Sequence, residues 1–283
     1  MSNKNDITRD FKFEILNNSL NILKDAKNLE VKIESPYNTF RSCENMFYDH
    51  DNITKIDISN FYTGNVVNFS TMFAHCINLK EIVGLNNMNT EKAVDMSSMF
   101  AHCINLKEIV GLNNMNTEKA VDMSSMFAYC KKLKKIDLSN FNTSNVNKML
   151  GMFRHCENLE EVIGFSDLKV EKVNNISNLF YECENIKEIK FPKFKDVKNM
   201  TGLFNNCTYL LEVDFNGMDF SKLERFGAGS MFTHCERLKE ILNYSENQNL
   251  ITYFSLSAVF GFINSARAER DFKDFINIFK FES

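Results

Sequence analysis

One five-residue phrase recurs along most of the chain and constrains the fold more than any other feature. It ends in cysteine seven times, at Cys76, Cys103, Cys130, Cys156, Cys183, Cys207 and Cys235, and an earlier copy has His50 in the cysteine position. Residues 73–99 recur letter for letter as residues 100–126. A period of 20–50 residues is typical of a solenoid, in which every repeat forms one coil.

The pattern inside each repeat predicts a strand, a turn and a short helical segment. In one clear copy, Ile136 and Leu138 alternate with polar residues, as in a strand with one buried face. Residues 142–145 are Asn, Thr, Ser and Asn, which favour a turn. Apolar residues in 146–153 then recur at three- and four-residue spacing, which predicts one or two helical turns. About eight such coils, stacked in parallel, would bury one continuous core.

Residues 135–146, Lys-Ile-Asp-Leu-Ser-Asn-Phe-Asn-Thr-Ser-Asn-Val, precede residues 149–156, Met-Leu-Gly-Met-Phe-Arg-His-Cys. This sequence resembles the BspA-like leucine-rich repeats of bacterial, mycoplasmal and protozoan surface proteins, and the resemblance extends over residues 46–243. It implies an α/β repeat solenoid, leucine-rich-repeat-like, with a parallel sheet of short strands and short helical turns on the other side. It also implies adhesion or protein binding, commonly at a cell surface.

The ends of the repeat array predict two caps. We expect an N-terminal cap at residues 1–42, the repeats at 43–249 and a C-terminal cap at 250–283. Apolar residues recur at helical spacing within 10–27 and within 270–281, so both caps are predicted to be helical. Each cap seals an end of the core, or the phenylalanine face of the last helix docks a partner or a second copy. The sequence leaves the oligomeric state open.

Composition excludes several function classes. The 33 basic and 37 acidic residues give a net charge of −4, without the basic excess that nucleic acid or an anionic lipid surface attracts. No apolar run reaches the length of a transmembrane helix, and residues 251–263 are interpreted as core. The polar N-terminus lacks a signal core, which favours the cytoplasm, whereas the resemblance favours the cell surface.

The chain shows no motif for catalysis, for a metal or for a cofactor. A phosphate loop, a nucleophile elbow and a zinc-protease helix motif are all missing, so we expect no cofactor and no enzymatic activity. The seven repeated cysteines are expected to form an inert structural column, with disulfides as the alternative. Four of these cysteines follow a histidine, but the same position also holds Tyr129, Glu182 and Asn206. We therefore expect partly exposed histidines and no metal site.

Strand alternation predicts which residues face a partner. The nine candidates are Glu81, Val83, Glu108, Val110, Lys135, Asp137, Glu161, Ile163 and Glu188. Val83, Val110 and Ile163 form an interrupted apolar strip with acidic edges, which is common at protein interfaces. The alternative is that β-branched residues simply suit a strand. If the strip binds, the acidic edges predict a partner with basic residues around an apolar patch.

Two functions fit these features. The first is a non-catalytic protein-binding solenoid, used in adhesion or partner recognition through its sheet face. The second is an intracellular structural or scaffold subunit of a larger assembly. An enzyme would need a site where the repeat breaks, and residues 191–194 and 226–229 are the irregular places. Neither carries a recognisable catalytic set.

Overall fold

The computed structural model describes residues 28–35, 40–224 and 227–244, and it shows a parallel β-solenoid of about 8 turns. The strands are β1 (Leu29–Ser35), β2 (Ile53–Phe61), β3 (Glu81–Val83), β4 (Lys135–Asp137), β5 (Glu161–Ile163), β6 (Glu188–Lys190), β7 (Glu212–Met218) and β8 (Glu240–Tyr244). Every pair of neighbouring strands is parallel. The predicted parallel-sheet solenoid is therefore confirmed.

The strands form three separate ladders, β1-β2-β3, β4-β5 and β6-β7-β8. Residues 108–110, predicted as a strand, form none, although they repeat the sequence of β3. The breaks share one local cause. Each lies after a coil in which glycine follows the strand position, at Gly84, Gly111 or Gly164. We call these three coils the Gly coils.

Glycine ends a ladder because it turns the chain out of the extended conformation. Leu138 donates its backbone N–H to the carbonyl of Ile163 in the next coil at 2.9 Å. Gly164 takes the corresponding position in its own coil, with φ at +75°, and a 3₁₀ turn (Phe165–Asp167) follows it at once. Glycine adopts a φ of this size more readily than other residues because it has no Cβ. The strand therefore stops before it can pair with the next coil.

The predicted helical turns are wrong, because tight turns replace them. In residues 146–153 and just beyond, Gly151 and His155 have left-handed backbones, with φ of +58° each. Gly151 and Phe153 donate their N–H groups to carbonyls of the next coil, both at 3.0 Å. An α-helix would send those groups to carbonyls four residues earlier. Among the described residues, the only helical segments are three short 3₁₀ turns that follow the glycines of the Gly coils.

The core contains a column of phenylalanines, one from each coil. The column consists of Phe47, Phe73, Phe100, Phe127, Phe153, Phe180, Phe204 and Phe232, and all eight are fully buried. Neighbouring ring centroids lie 5.2–5.8 Å apart and the rings are nearly parallel. Offset stacking of this kind adds to the burial of apolar area. The column accounts for eight of the chain's 27 Phe and links successive coils through the core.

The predicted caps lie mostly outside the described residues. The two capping helices, within 10–27 and 270–281, fall there completely. The described part of the predicted N-terminal cap contains β1, which pairs with β2 from Leu29 to Ser35. The first visible element is therefore a further strand of the solenoid.

Candidate functional site

The sheet face, which is the surface formed by the outward side chains of the strand positions, carries all nine predicted binding residues. Val110 is 66% exposed, Ile163 is 39% exposed and Val83 is half-buried. The residues that flank them on the face, Glu81, Glu108, Lys135, Glu161 and Glu188, are exposed. The apolar strip is discontinuous, because Asp137 holds the repeat position between Val110 and Ile163.

The acidic edge of this strip is partly neutralised by lysines on the same face. The Nζ of Lys55 lies 3.0 Å from a carboxylate oxygen of Glu81, and Lys135 lies 2.8 Å from Glu161. Strand register causes both pairs, because β2 sets Lys55 opposite Glu81 and β4 sets Lys135 opposite Glu161. The Asp137 carboxylate instead accepts hydrogen bonds from Ser139, and these lower the pKa of Asp137. The face therefore has mixed charge.

An open groove of about 960 Å³ lies where the ladder breaks between β5 and β6, and we call it the β5–β6 groove. Gly164 and Phe165 line it from the coil of β5, and Ile189 from the coil of β6. Its walls also include Lys135, Glu161 and Glu188, three of the nine predicted residues. It is therefore a concave part of the predicted surface, and most ligand sites are concave.

Sequence reasoning missed several residues of this groove. Lys187, Tyr209 and Arg237 all line it, but none belongs to the columns that strand alternation singled out. The guanidinium of Arg237 lies 4.4 Å from the centroid of the Tyr209 ring. The sequence did contain a sign of this contact, because Tyr209 and Arg237 hold the same repeat position in adjacent coils. Stacked coils bring such residues together.

The repeated cysteines form one continuous column of hydrogen bonds. Each of the seven thiols donates to the carbonyl of a phenylalanine in the preceding coil, with S···O distances of 3.0–3.2 Å. All are free thiols. Burial raises the pKa of Cys130 to about 12. A buried thiol that stays protonated is a poor nucleophile.

Histidine and tyrosine rings form a second column, which the sequence analysis did not predict. The rings of His75, His102, Tyr129 and His155 stack in order, with 4.1 Å between successive centroids. Burial and, to a smaller extent, the nearby charge of His75 together lower the pKa of His102 to about 4. The imidazole of His102 is therefore neutral at pH 7 and suited to stacking.

One group of side chains has the composition of a metal site. His155, Glu157 and Glu182 offer three ligand atoms within 4.8 Å of one another. Each of the three side chains already has a partner, because His155 Nδ1 lies 2.7 Å from a carboxylate oxygen of Glu182, which accepts its hydrogen bond, and the Lys131 ammonium lies 2.6 Å from Glu157. A divalent ion would have to displace Lys131. Burial lowers the pKa of His155, so its neutral ring is hydrogen-bonded to Glu182, while Lys131 and Glu157 form an ion pair beside it.

Within the described residues, no helix is both long and apolar enough to cross a membrane. Three solved structures that are similar to this chain are leucine-rich repeat proteins. One from T. pallidum is 15% identical, with a TM-score of 0.39, and the match covers 81% of this chain and 87% of that chain. A leucine-rich cell surface protein from Faecalibacterium prausnitzii is 13% identical, with a TM-score of 0.38, covering 89% and 96%.

A leucine-rich repeat protein from Bacteroides ovatus is 16% identical, with a TM-score of 0.32, and the match covers 83% of this chain and 76% of that chain. No protein with a curated description matches the sequence. One family model matches four overlapping stretches, residues 2–109, 41–158, 79–190 and 164–262. Together these stretches extend from residue 2 to residue 262 and include every repeat. The chain belongs to the family described as "Mycoplasma protein of unknown function, DUF285".

Proposed function

We propose that this chain is a non-catalytic solenoid that binds a partner protein through its sheet face. The exposure of Val110 and Ile163 supports the proposal most directly, because these large apolar side chains contact water at 66% and 39% of their surface. Val162, between Glu161 and Ile163, points the other way and packs against the core. An exposed apolar residue beside a groove with charged walls is a common feature of protein interfaces.

The resemblance to BspA-like repeats supports the same function and adds adhesion at a cell surface as its setting. Two further features favour binding over catalysis. Burial raises the pKa of the thiols in the cysteine column, which favours their unreactive protonated form, and the ionisable groups of the His155 cluster are already paired. A scaffold role within a larger assembly remains the alternative, and it uses the same surface.

The test is a pull-down from lysate and surface fractions of the native cell. We expect the variant Val83→Glu/Val110→Glu/Ile163→Glu to lose the partner that the wild-type chain binds. Burying three carboxylates against an apolar patch has a large desolvation cost. The matched control is Val67→Glu/Val94→Glu/Val121→Glu, which changes three surface valines at a different corner of the coils.

Circular dichroism must show that both variants remain folded. A partner that both triple variants retain contradicts binding through the sheet face. Recovery of the chain only within a large complex supports the scaffold alternative.

A further inference from the structure

The β5–β6 groove carries more positive than negative charge. Five cationic side chains line it, namely Lys134, Lys135, Lys187, Lys190 and Arg237. Three carboxylates line it as well, those of Glu160, Glu161 and Glu188. The chain as a whole is acidic, with a net charge of −4. A local excess of cations on an acidic protein attracts an anionic ligand to that one place.

Among the residues that the structure describes, two of the five cations have no carboxylate partner. Lys134 pairs with Glu160 at 3.1 Å and Lys135 with Glu161 at 2.8 Å, while Lys190 lies 3.7 Å from a carboxylate oxygen of Asp214. Within 28–35, 40–224 and 227–244, neither Lys187 nor Arg237 forms an ion pair, and both are exposed. These two side chains can therefore bind a carboxylate without breaking an existing ion pair.

The packing of Arg237 prepares it for this role. Its guanidinium lies 4.4 Å from the centroid of the Tyr209 ring, which is 41% exposed. A cation–π contact of this kind holds the plane of the guanidinium while its N–H groups remain free at the edge. A guanidinium fixed in this way loses less side-chain entropy when it binds a carboxylate with two hydrogen bonds.

We propose that the β5–β6 groove binds an acidic peptide segment in an extended conformation, with its carboxylates paired to Lys187 and Arg237. The inference rests on the proposed function and names the chemistry of the partner. The coils of Lys134 and Arg237 are four steps apart, which is roughly 19 Å at the usual strand spacing. An extended chain of about six residues has this length.

An acidic partner differs from the basic partner that the sequence predicts. That prediction rested on a column of glutamates, of which Glu81 and Glu161 are already paired with lysines of the same face. Within the described part of the chain, Glu188 is the one groove carboxylate without an ion pair, and it opposes an acidic ligand. Removing its charge should therefore strengthen binding, and removing the charge of Lys187 or Arg237 should weaken it.

The probe is a fluorescein-labelled peptide of about six residues, with Glu and Ser in alternation. Peptides with Gln or Lys in place of Glu serve as matched probes. Fluorescence anisotropy with the full chain at low salt measures the affinities. We expect the Glu peptide alone to bind, Lys187→Gln/Arg237→Gln to weaken it about tenfold or more, and Glu188→Gln to tighten it. The control Lys119→Gln/Lys169→Gln removes the same charge from exposed lysines outside the groove.

Three results would overturn the inference: no binding of the Glu peptide to the full chain, tighter binding of the Lys peptide, or an equal loss of affinity in the two double variants. A protein that loses its cellular partner through the valine and isoleucine substitutions but ignores the Glu peptide keeps the proposed function and refutes only this inference.

Discussion

His102 shows how a single residue contributes to the stack of coils. Its ring lies between those of His75 and Tyr129, with 4.1 Å from its centroid to each neighbour. The preceding residues in these three coils, Ala74, Ala101 and Ala128, form a small buried cluster of their own. A methyl side chain leaves room for rings to approach this closely. Three of the four stacked rings therefore follow a buried alanine, whereas His155 follows Arg154.

The pKa of His102 makes the stability of the solenoid depend on pH. Because its folded-state pKa is lowered to about 4 from the usual 6.5, the unfolded chain binds a proton in this range while the folded chain does not. Stability is therefore present above pH 6.5 and is lost as pH falls towards 4. We predict that His102→Tyr reduces this loss of stability, because tyrosine, which already stands at the equivalent position 129, supplies a ring without a basic group. Urea unfolding at a series of pH values measures it.

The control is His234→Tyr, which changes an exposed histidine at the same repeat position. This variant should lose stability in acid as the wild type does. If His102→Tyr also follows the wild-type curve, then other groups cause the decline.

At this scale the sequence predicts the cysteines better than the rings. Recurrence of a small, weakly polar residue at one repeat position predicts a buried column, and the structure sets each sulfur near a carbonyl. The ring column requires the backbone geometry, because His75 has φ of +63° and such a residue is oriented unlike its neighbours. Spacing alone does not reveal a left-handed residue that is not glycine.

At the scale of the element, neighbours decide whether a segment becomes a strand. Residues 81–83 and 108–110 have the same sequence, but only the first forms a strand. The segment 81–83 pairs with β2, whereas 108–110 follows one Gly coil and itself belongs to another, so it pairs with neither neighbouring coil. Periodicity predicts both as strands because it contains no information on the preceding coil. The helical turns were predicted wrongly for a similar reason. Hydrogen bonds to the next coil determine the backbone of residues 146–153, and periodicity contains no information on that coil either.

Glycine after the strand position is therefore a structural requirement of the Gly coils. A Cβ built on Gly164 would lie 2.6 Å from the Cα of Ser139 in the preceding coil. We predict that Gly164→Ala lowers the free energy of unfolding by about 3 kcal/mol, from the positive φ and the backbone clash together. Chemical denaturation followed by circular dichroism measures the change.

Gly217→Ala is the matched control for this substitution. Gly217 has a similar φ of +72°, but a Cβ there would meet nothing within 4 Å. Its loss should be about 1 kcal/mol, which is the backbone cost alone. Equal losses in the two variants would mean that the approach of neighbouring coils does not constrain Gly164.

At the scale of the whole molecule, the sequence predicts a stack of coils because the period is repeated so often. We predict that deletion of residues 100–126 leaves a folded protein that is shorter by one coil, because each coil contacts only its neighbours. The denaturant m-value should fall in proportion to the surface that the coil buries. Small-angle scattering should show a length shorter by about 5 Å.

A molten or insoluble product would contradict independent stacking of the coils. Deletion of residues 101–113, about half a coil, is the control. It removes fewer residues but breaks the register of every later coil, so we expect it not to fold.

The β5–β6 groove could not be predicted from the sequence. It exists because a Gly coil interrupts the sheet at β5 and because Arg237 and Tyr209 approach from later coils. The sequence does show glycine at position 164 and the two residues in one repeat column. Their meeting at one opening depends on which strands stop pairing, and that is a property of the assembled stack.

The Gly coils also bear on how such a protein changes over generations. The coil duplicated at residues 100–126 is a Gly coil, so it adds no rung to any of the three ladders. Slippage of a gene during copying can add or remove this unit, and every other strand keeps the partner it had. We therefore expect close relatives of this chain to differ first in length, by multiples of 27 residues, and only later in the residues of the three ladders.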